Sequence, residues 1–557
     1  HTAVDGGYGQ DADELAAAGA FCQLEDQQLK QADRRDAGQI HHRAQLGAVG
    51  QRGNIRFVPA RGEAGSVTMA DAHGRFSGLG VALTSTGAGA GNAVGALVEA
   101  MNACTPLLHL TGQVEKAWLD ADTGFIHETR DQLTFLKASS KRAYRISNAN
   151  QAIAILHKAI QDAQTPPCGP VSVEIPIDIQ SAKIPLSLVT APIKPVSAPA
   201  VDTGMVDALW AQLKQAKQPL LWLGGGALGS AEAVKKLADA GITVISSTHA
   251  RGVLPDSHRA SLRAFHNSPP VEALIAQCDF TLVAGSRLRS NETRSWTLEL
   301  PSPRVQLDID PAAASRNYLM DSTLIADCSA LLGALAEKVQ GREWGNAQWD
   351  TQVQQAVEQA EQGLREQCGA YAKLNDAIEK ALPKDGLLVR DITVSGSLWG
   401  SRLFRANGPL MNIHSLAGAI GMGLPMAIGT AIANPQRKVV GLVGDGGLSL
   451  NLGELATLAQ EKANVTLLIM NDGGYGVMRG IQDKYFGGRQ YYNALHTPDF
   501  TLLAQAIGLQ AWSVEQAEDF DAVMMEALAM PGPSVVEVRM GQIGALKFAG
   551  PPQKTLY

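Results

Sequence analysis

Short runs of Val, Ile and Leu, each ending in glycine or a polar residue, recur along the whole chain. They lie at 81–84, 107–111 and 171–175; at 220–223, 243–246, 280–284 and 305–309; and at 387–389, 439–443, 465–470 and 535–538. Stretches of helical period, such as 150–163, 231–240 and 453–460, separate them. Continuous apolar strands alternating with helices are what parallel sheets buried on both faces require. The three sets therefore predict an α/β chain of three domains in series, each a mostly parallel sheet flanked by helices. The proline-rich stretch 185–199 reads as an extended linker, and the Gln/Glu-rich stretch 340–365 as a helix leading into the third set. These joints predict domains at 1–185, 195–340 and 365–545.

Composition removes several function classes. A net charge of −7 spread over 557 residues, with no Lys/Arg-rich run, argues against a nucleic-acid binder. No stretch approaches 18 uninterrupted apolar residues, so no membrane span is expected. The first residues lack the basic start and apolar core of a signal peptide. The 6 cysteines lie far apart with no CxxC pair, a pattern that fits reduced thiols in the cytoplasm.

The strongest chemical signal is a pair of strand ends. One reads Gly444-Asp445-Gly446-Gly447; the other, 24 residues on, reads Asn471-Asp472-Gly473-Gly474-Tyr475-Gly476. Two buried parallel strands ending at one sheet edge would each deliver a carboxylate among glycines. Glycine lets backbone amides approach an oxyanion, and the following helix offers its positive N-terminus. Asp445 and Asp472 would then hold a hard divalent cation that neutralises a diphosphate.

This pairing resembles the signature of thiamine-diphosphate enzymes, and the resemblance extends over roughly 56–545. It is similar to the acetohydroxyacid synthase, pyruvate oxidase and benzoylformate decarboxylase group, whose pyrimidine-binding, middle and diphosphate-binding domains come in that order. The resemblance implies Mg²⁺ on Asp445, Asp472 and the carbonyl of Gly474, with Gly446 and Gly447 against the diphosphate. Asp472 stands where many relatives carry Asn. Thr393 and Ser395, just beyond the strand ending at Asp391, are further diphosphate candidates. Ser415 to Pro425 resembles the family turn whose bulky residue wedges under thiamine and bends it into a V. Ile420 takes that place, and the Gly418 carbonyl would accept from the cofactor's amino group.

Glu63, placed after a short strand at 55–58 and before an Ala/Gly-rich helix, resembles the family's catalytic glutamate. Its task would be to hydrogen-bond the pyrimidine ring, and an apolar pocket should raise its pKa for that purpose. The stretches Leu83 to Asn92 and Leu110 to Gln113 match the family's neighbouring loops, and Gln113 joins the catalytic candidates with them. Phe125 to Thr129 resembles a synthase segment with His127 in place of glutamine, which makes His127 the ionisable side chain expected near substrate. The decarboxylases carry histidine where this chain has Ser85. The synthases have a tryptophan where it has Ile481.

In the middle domain 224–229 formally reads GxGxxG, without the acidic residue about 20 positions on that a dinucleotide site requires. FAD, which synthases and oxidases of this group bind here, is not favoured. Residues 1–55 depart from the family pattern and suggest a remodelled or mistranslated N-terminus. The expectation is thus a thiamine-diphosphate and Mg²⁺ enzyme acting on a small 2-oxo acid by decarboxylation with carboligation. A simple 2-oxo acid decarboxylase and a non-catalytic cofactor-binding relative stay open beside it. Because the family builds its site between subunits, a homodimer is the minimum assembly and a homotetramer the expected one.

Overall fold

The computed structural model describes residues 55–190, 200–339 and 341–546. The N-terminal stretch that departs from the family pattern lies almost wholly outside them. The chain divides into two compact units, 1–196 and 197–557.

The first unit is a parallel sheet of order β1-β2-β4-β3, with β1 at Gly80–Thr84, β2 at Leu107–Gln113, β3 at Arg142–Arg145 and β4 at Pro170–Pro176. Both central strands, β2 and β4, are buried at every position. The helix Ala152–Gln164 lays Leu156, Ala159, Ile160 and Ala163 against them, a spacing of three and four that keeps these residues on one face. The expected strand at 55–58 does not form; the chain there is irregular and leads directly into the helix Glu63–Ser77. Its run ends at Pro59, which has no amide to give a ladder, and Phe57 in its middle is exposed.

The second unit holds two parallel sheets. The first has order β6-β5-β7-β8-β9, built from β5 (Pro219–Leu223), β6 (Thr243–Ser246), β7 (Phe280–Ala284), β8 (Arg304–Asp308) and β9 (Ser322–Ile325). The other has order β11-β10-β12-β13-β15-β14. Its strands are β10 (Leu387–Arg390), β11 (Asn412–His414), β12 (Val439–Gly444), β13 (Val465–Asn471), β14 (Gln510–Val514) and β15 (Ser534–Arg539). Every pairing within the three sheets is parallel. One apolar core runs from Trp222 and Phe265 to Trp399, Leu442 and Val536, which is why these two sheets form a single compact unit. The stretch expected to lead into the third set is the helix Ala347–Cys368. It is docked into that core through Trp349, Val353, Ala356, Ala360 and Leu364, and Trp349 Nε1 donates to Thr243 Oγ1 at 2.9 Å.

Candidate functional site

The carboxyl edge of the third sheet gathers the second unit's candidate residues. Gly444 pairs in register with Met470, so the chain leaves β12 and β13 side by side and delivers Asp445 and Asp472 to one place. Neighbouring β10 ends at Arg390, in register with Leu442, and delivers Asp391 beside them. The Asp472 amide donates to Asp445 Oδ1 at 3.3 Å. Asp445 Oδ2 and Asp472 Oδ1 are buried and make no hydrogen bond, although Arg479 stands 3.5 Å from Asp472 Oδ1. Burial raises the pKa of Asp445. Burial first and then the charge of Asp445 push Asp472 up to about 6.

Two facing carboxylates with idle buried oxygens are costly unless a cation joins them. Gly474, at φ +150°, lets its backbone pass against Asn493, and its carbonyl lies against Gly446, on the Asp445 side. Among the described residues no three His, Cys, Asp or Glu side chains form a metal cage. Two carboxylates and a carbonyl therefore suit a hard cation that draws its other oxygens from a phosphate and water. Ser395 Oγ is likewise buried without a partner, whereas Thr393 Oγ1 caps the next turn by accepting from the Gly396 amide at 2.7 Å. A cleft of about 430 Å³ opens here, lined among others by Val394, Asp472, Gly476 and Arg479. The residues present thus fit a diphosphate with its metal.

Asp391 is the residue that sequence reasoning named only as a strand end. Its carboxylate accepts from the amides of Ile392 (2.7 Å), Gly421 (3.1 and 2.9 Å) and Gly423 (3.3 Å). Burial lifts it to about 6, against the pull of those amides. Asn451 Nδ2 adds a 2.7 Å bond to the Gly421 carbonyl. These contacts fix one end of the 415–423 turn, which needs Gly418 and Gly421 at φ +82° and +83°. A Cβ on Gly421 would also meet Leu450 at 2.9 Å and the Gly447 carbonyl at 3.0 Å. Ile420, at the crest, stays 37% exposed, an apolar side chain raised out of the turn as a wedge would be.

The first unit carries the other residues. Glu63 opens its helix, half-buried, and its Oε2 accepts from Asn92 Nδ2 at 3.2 Å. A Cβ on Gly89 would stand 2.9 Å from Glu63 Oε1 and 2.1 Å from Ser85 Oγ, so that glycine leaves room for both. The sequence marks Asn92 only as the end of the glycine-rich loop; in the structure it orients the glutamate. His127 is exposed, at φ +65°, and its carbonyl lies against Gly87, where a Cβ would approach to 2.1 Å. It is thus brought to the glycine loop through its backbone. Gln113, at the end of β2, is spent internally: its Nε2 donates to Glu174 Oε2 at 3.3 Å and its Oε1 accepts from the Val114 amide at 2.8 Å. Gln132, which sequence reasoning missed, donates to the same Glu174 oxygen at 3.1 Å and accepts from the Gly87 amide at 2.7 Å. Burial raises the Glu174 pKa, and Arg145 opposes it. The network sets the glycine loop; no local pattern announces it, because its members come from four separate segments.

The middle sheet's glycine turn is closed on itself. The Gly224 and Gly226 amides donate to the Ala284 and Gly285 carbonyls at 2.8 and 3.0 Å. The Thr248 amide and hydroxyl both donate to Glu292 Oε1 at 2.8 Å. The Gly224, Gly226 and Thr248 amides at these two strand ends are thus already engaged within the chain, which does not favour FAD there.

Comparison with known proteins agrees with this layout. The chain matches three domain families: Thiamine pyrophosphate enzyme, N-terminal TPP binding domain, over 40–135; the central domain, over 206–335; and the C-terminal TPP binding domain, over 394–538. It is 26% identical over 504 residues to acetolactate synthase isozyme 1 large subunit of Escherichia coli (strain K12), covering 88% of each chain. It is 27% identical over 522 residues to acetolactate synthase of Arthrospira platensis, again covering 88% of each. With the probable acetolactate synthase large subunit of Methanococcus aeolicus it shares 24% identity over 531 residues, 89% of this chain and 87% of that one. No helix among the described residues is long and apolar enough to cross a membrane. With all three domain families in order, the chain belongs to the thiamine pyrophosphate enzymes of the acetohydroxyacid synthase and pyruvate oxidase-like group, and is a thiamine-pyrophosphate-dependent transferase or lyase.

Proposed function

We propose that the chain decarboxylates a small 2-oxo acid and joins the remaining acyl unit to a second carbonyl compound, as an acetolactate synthase does, using thiamine diphosphate and Mg²⁺. The observation that carries the reading is the pair Asp445 and Asp472, buried beside a glycine turn with idle oxygens. The bound cofactor supplies the carbon nucleophile and the electron sink. Asp445, Asp472 and the Gly474 carbonyl would hold the metal, while Gly446, Gly447 and Ser395 would meet the diphosphate. Ile420 would support the bent cofactor, the Gly418 carbonyl would accept from its amino group, and Glu63, oriented by Asn92, would carry a proton on its carboxylate. His127 is left as a substrate-side candidate at the glycine loop. Gln113 acts on that loop through Glu174.

The assignment rests on three domains at 1–185, 195–340 and 365–545, on a cytoplasmic setting for the widely spaced thiols, and on an assembly no smaller than a homodimer, with a homotetramer expected. The test is a screen of pyruvate, 2-oxobutyrate, benzoylformate and branched 2-oxo acids, recording CO2 release and product chirality. A chiral 2-hydroxy ketone or acid supports carboligation; an aldehyde as the sole product replaces it with simple decarboxylation.

A further inference from the structure

The 415–423 turn has two feet. One, at Gly421 and Gly423, stands on Asp391 and Asn451 of its own sheet. The other is met by the preceding sheet: Arg289, in the loop after β7, donates from Nη2 to the Leu416 carbonyl. Leu416 is buried, while Ala417 and Gly418 beyond it are exposed.

The loop that bears Arg289 is held from several sides. Thr293 returns its hydroxyl to the Arg289 carbonyl at 2.9 Å, Trp296 Nε1 donates to the Leu288 carbonyl at 3.0 Å, and Asn317 Nδ2 donates to the Arg287 carbonyl at 2.5 Å. Glu292, 2% exposed, pins it to Thr248. Leu288, Arg294, Ser295 and Trp296 all lie at positive φ, between 47° and 63°. Such backbone is strained and persists only where the surroundings over-determine it. A second contact joins the same two sheets nearby. The His249 ring, under which Gly225 is packed, meets the His414 ring edge-on at 6.4 Å, and His414 ends β11 two residues before Leu416.

We propose that Arg289 is a positioning residue for the turn carrying Gly418 and Ile420, so that the middle sheet acts on the cofactor by holding that turn. This rests on the function proposed above. Its physical content is that the Leu416 peptide fixes where the Gly418 carbonyl points. A displacement of about 1 Å at such an acceptor is enough to cost on the order of a hundredfold in rate. Arginine suits the task because its charge is permanent and its planar fork is pre-organised.

The experiment compares the full-length parent with Arg289→Ala and Arg289→Lys, in four measurements: thiamine diphosphate affinity with Mg²⁺ by calorimetry, the near-UV circular dichroism of the bound cofactor, kcat and KM for the best 2-oxo acid, and Tm. Arg289→Ala is expected to bind the cofactor about tenfold more weakly and to lose roughly tenfold or more in kcat. KM and Tm should stay near the parent's, and the dichroism of the bound cofactor should change. Arg289→Lys should recover part of each loss, because its ammonium can still reach the carbonyl. Parent-like affinity, dichroism and kcat in Arg289→Ala overturn the proposal. So does a loss that merely follows a fall in Tm without recovery in the lysine variant. A parent that binds no thiamine diphosphate removes the reading on which the proposal stands, and the proposal with it; a parent that binds and turns over leaves the variants to decide it alone.

Discussion

Replacing Asp391 by asparagine separates the stability of the third sheet from the geometry of its cofactor turn. The carboxylate is 1% exposed and is ringed by the amides of Ile392, Gly421 and Gly423. Its rise from 3.8 to about 6 corresponds to about 3 kcal/mol that the neutral amide does not have to bear. Against this, the asparagine keeps one acceptor oxygen and turns an NH2 towards amides that already point inward. That figure is already net of the amides' pull on the carboxylate, so the opposing term that remains is a buried donor left facing another donor, about 1–3 kcal/mol. The two sides nearly cancel, so Asp391→Asn should leave the Tm of the cofactor-free protein within about 5 °C of the parent's. The turn, however, loses the contact that sets Gly421 and Gly423. Affinity for thiamine diphosphate with Mg²⁺, read by calorimetry, should fall at least about tenfold, which is about 1.4 kcal/mol. An asparagine variant that binds cofactor as tightly as the parent would show that Asp391 does not hold the wedge turn; a collapse in Tm would show that the burial cost was overestimated.

Three further outcomes are expected. In the metal-free protein the pKa values of Asp445 and Asp472 are both raised. Their contribution to stability is therefore greatest at low pH and is lost as pH rises, for Asp472 from about 4 through about 6. Added Mg²⁺ should accordingly raise Tm more at about pH 7.5 than at about pH 5, and equal shifts at the two pH values would contradict the metal assignment. Asp445→Ala should lose Mg²⁺-dependent cofactor retention and Glu63→Gln should lose about 10²–10⁴ in kcat with cofactor affinity kept; mixing the two inactive variants under demonstrated subunit exchange should restore activity if each site draws on two chains. Purified protein should release no stoichiometric flavin on denaturation, since Glu292 and Gly285 occupy the donors at the middle sheet's edge; a yellow preparation would reverse that reading.

Ten of the eleven strands legible as apolar runs are buried at nearly every position, where burial demands Val, Ile and Leu; the eleventh, β1, is an edge strand with Val81 exposed. The four that were not legible, β3, β9, β11 and β14, are all edge strands. An edge strand needs only one partner; β3, β9 and β14 are partly exposed, and β11 is three residues long and polar at two of them. The expected strand at 55–58 errs in the other direction, since three apolar residues and an arginine before a proline need a neighbour's ladder to become a strand. The motif carboxylates Asp445 and Asp472, and the glycines beside them, were readable for a local reason: a turn that admits an anion must be built from residues adjacent in sequence.

What the sequence by itself determined was therefore the α/β class, the three sheets and the two glycine-flanked carboxylates, because strand burial and turn chemistry act over a few neighbouring residues. What only the tertiary structure decided was who holds those groups in place. Asp391 reaches Gly421 across 30 residues, Asn92 reaches Glu63 across 29 and Arg289 reaches Leu416 across 127. The first forms because parallel strands end at a common edge, and the third because two sheets share one core. The second forms because the helices that carry Glu63 and Asn92 pack side by side. Such a partner leaves no periodic trace: one polar residue at the right place on a distant loop is enough, and its neighbours in sequence carry no pattern to mark it.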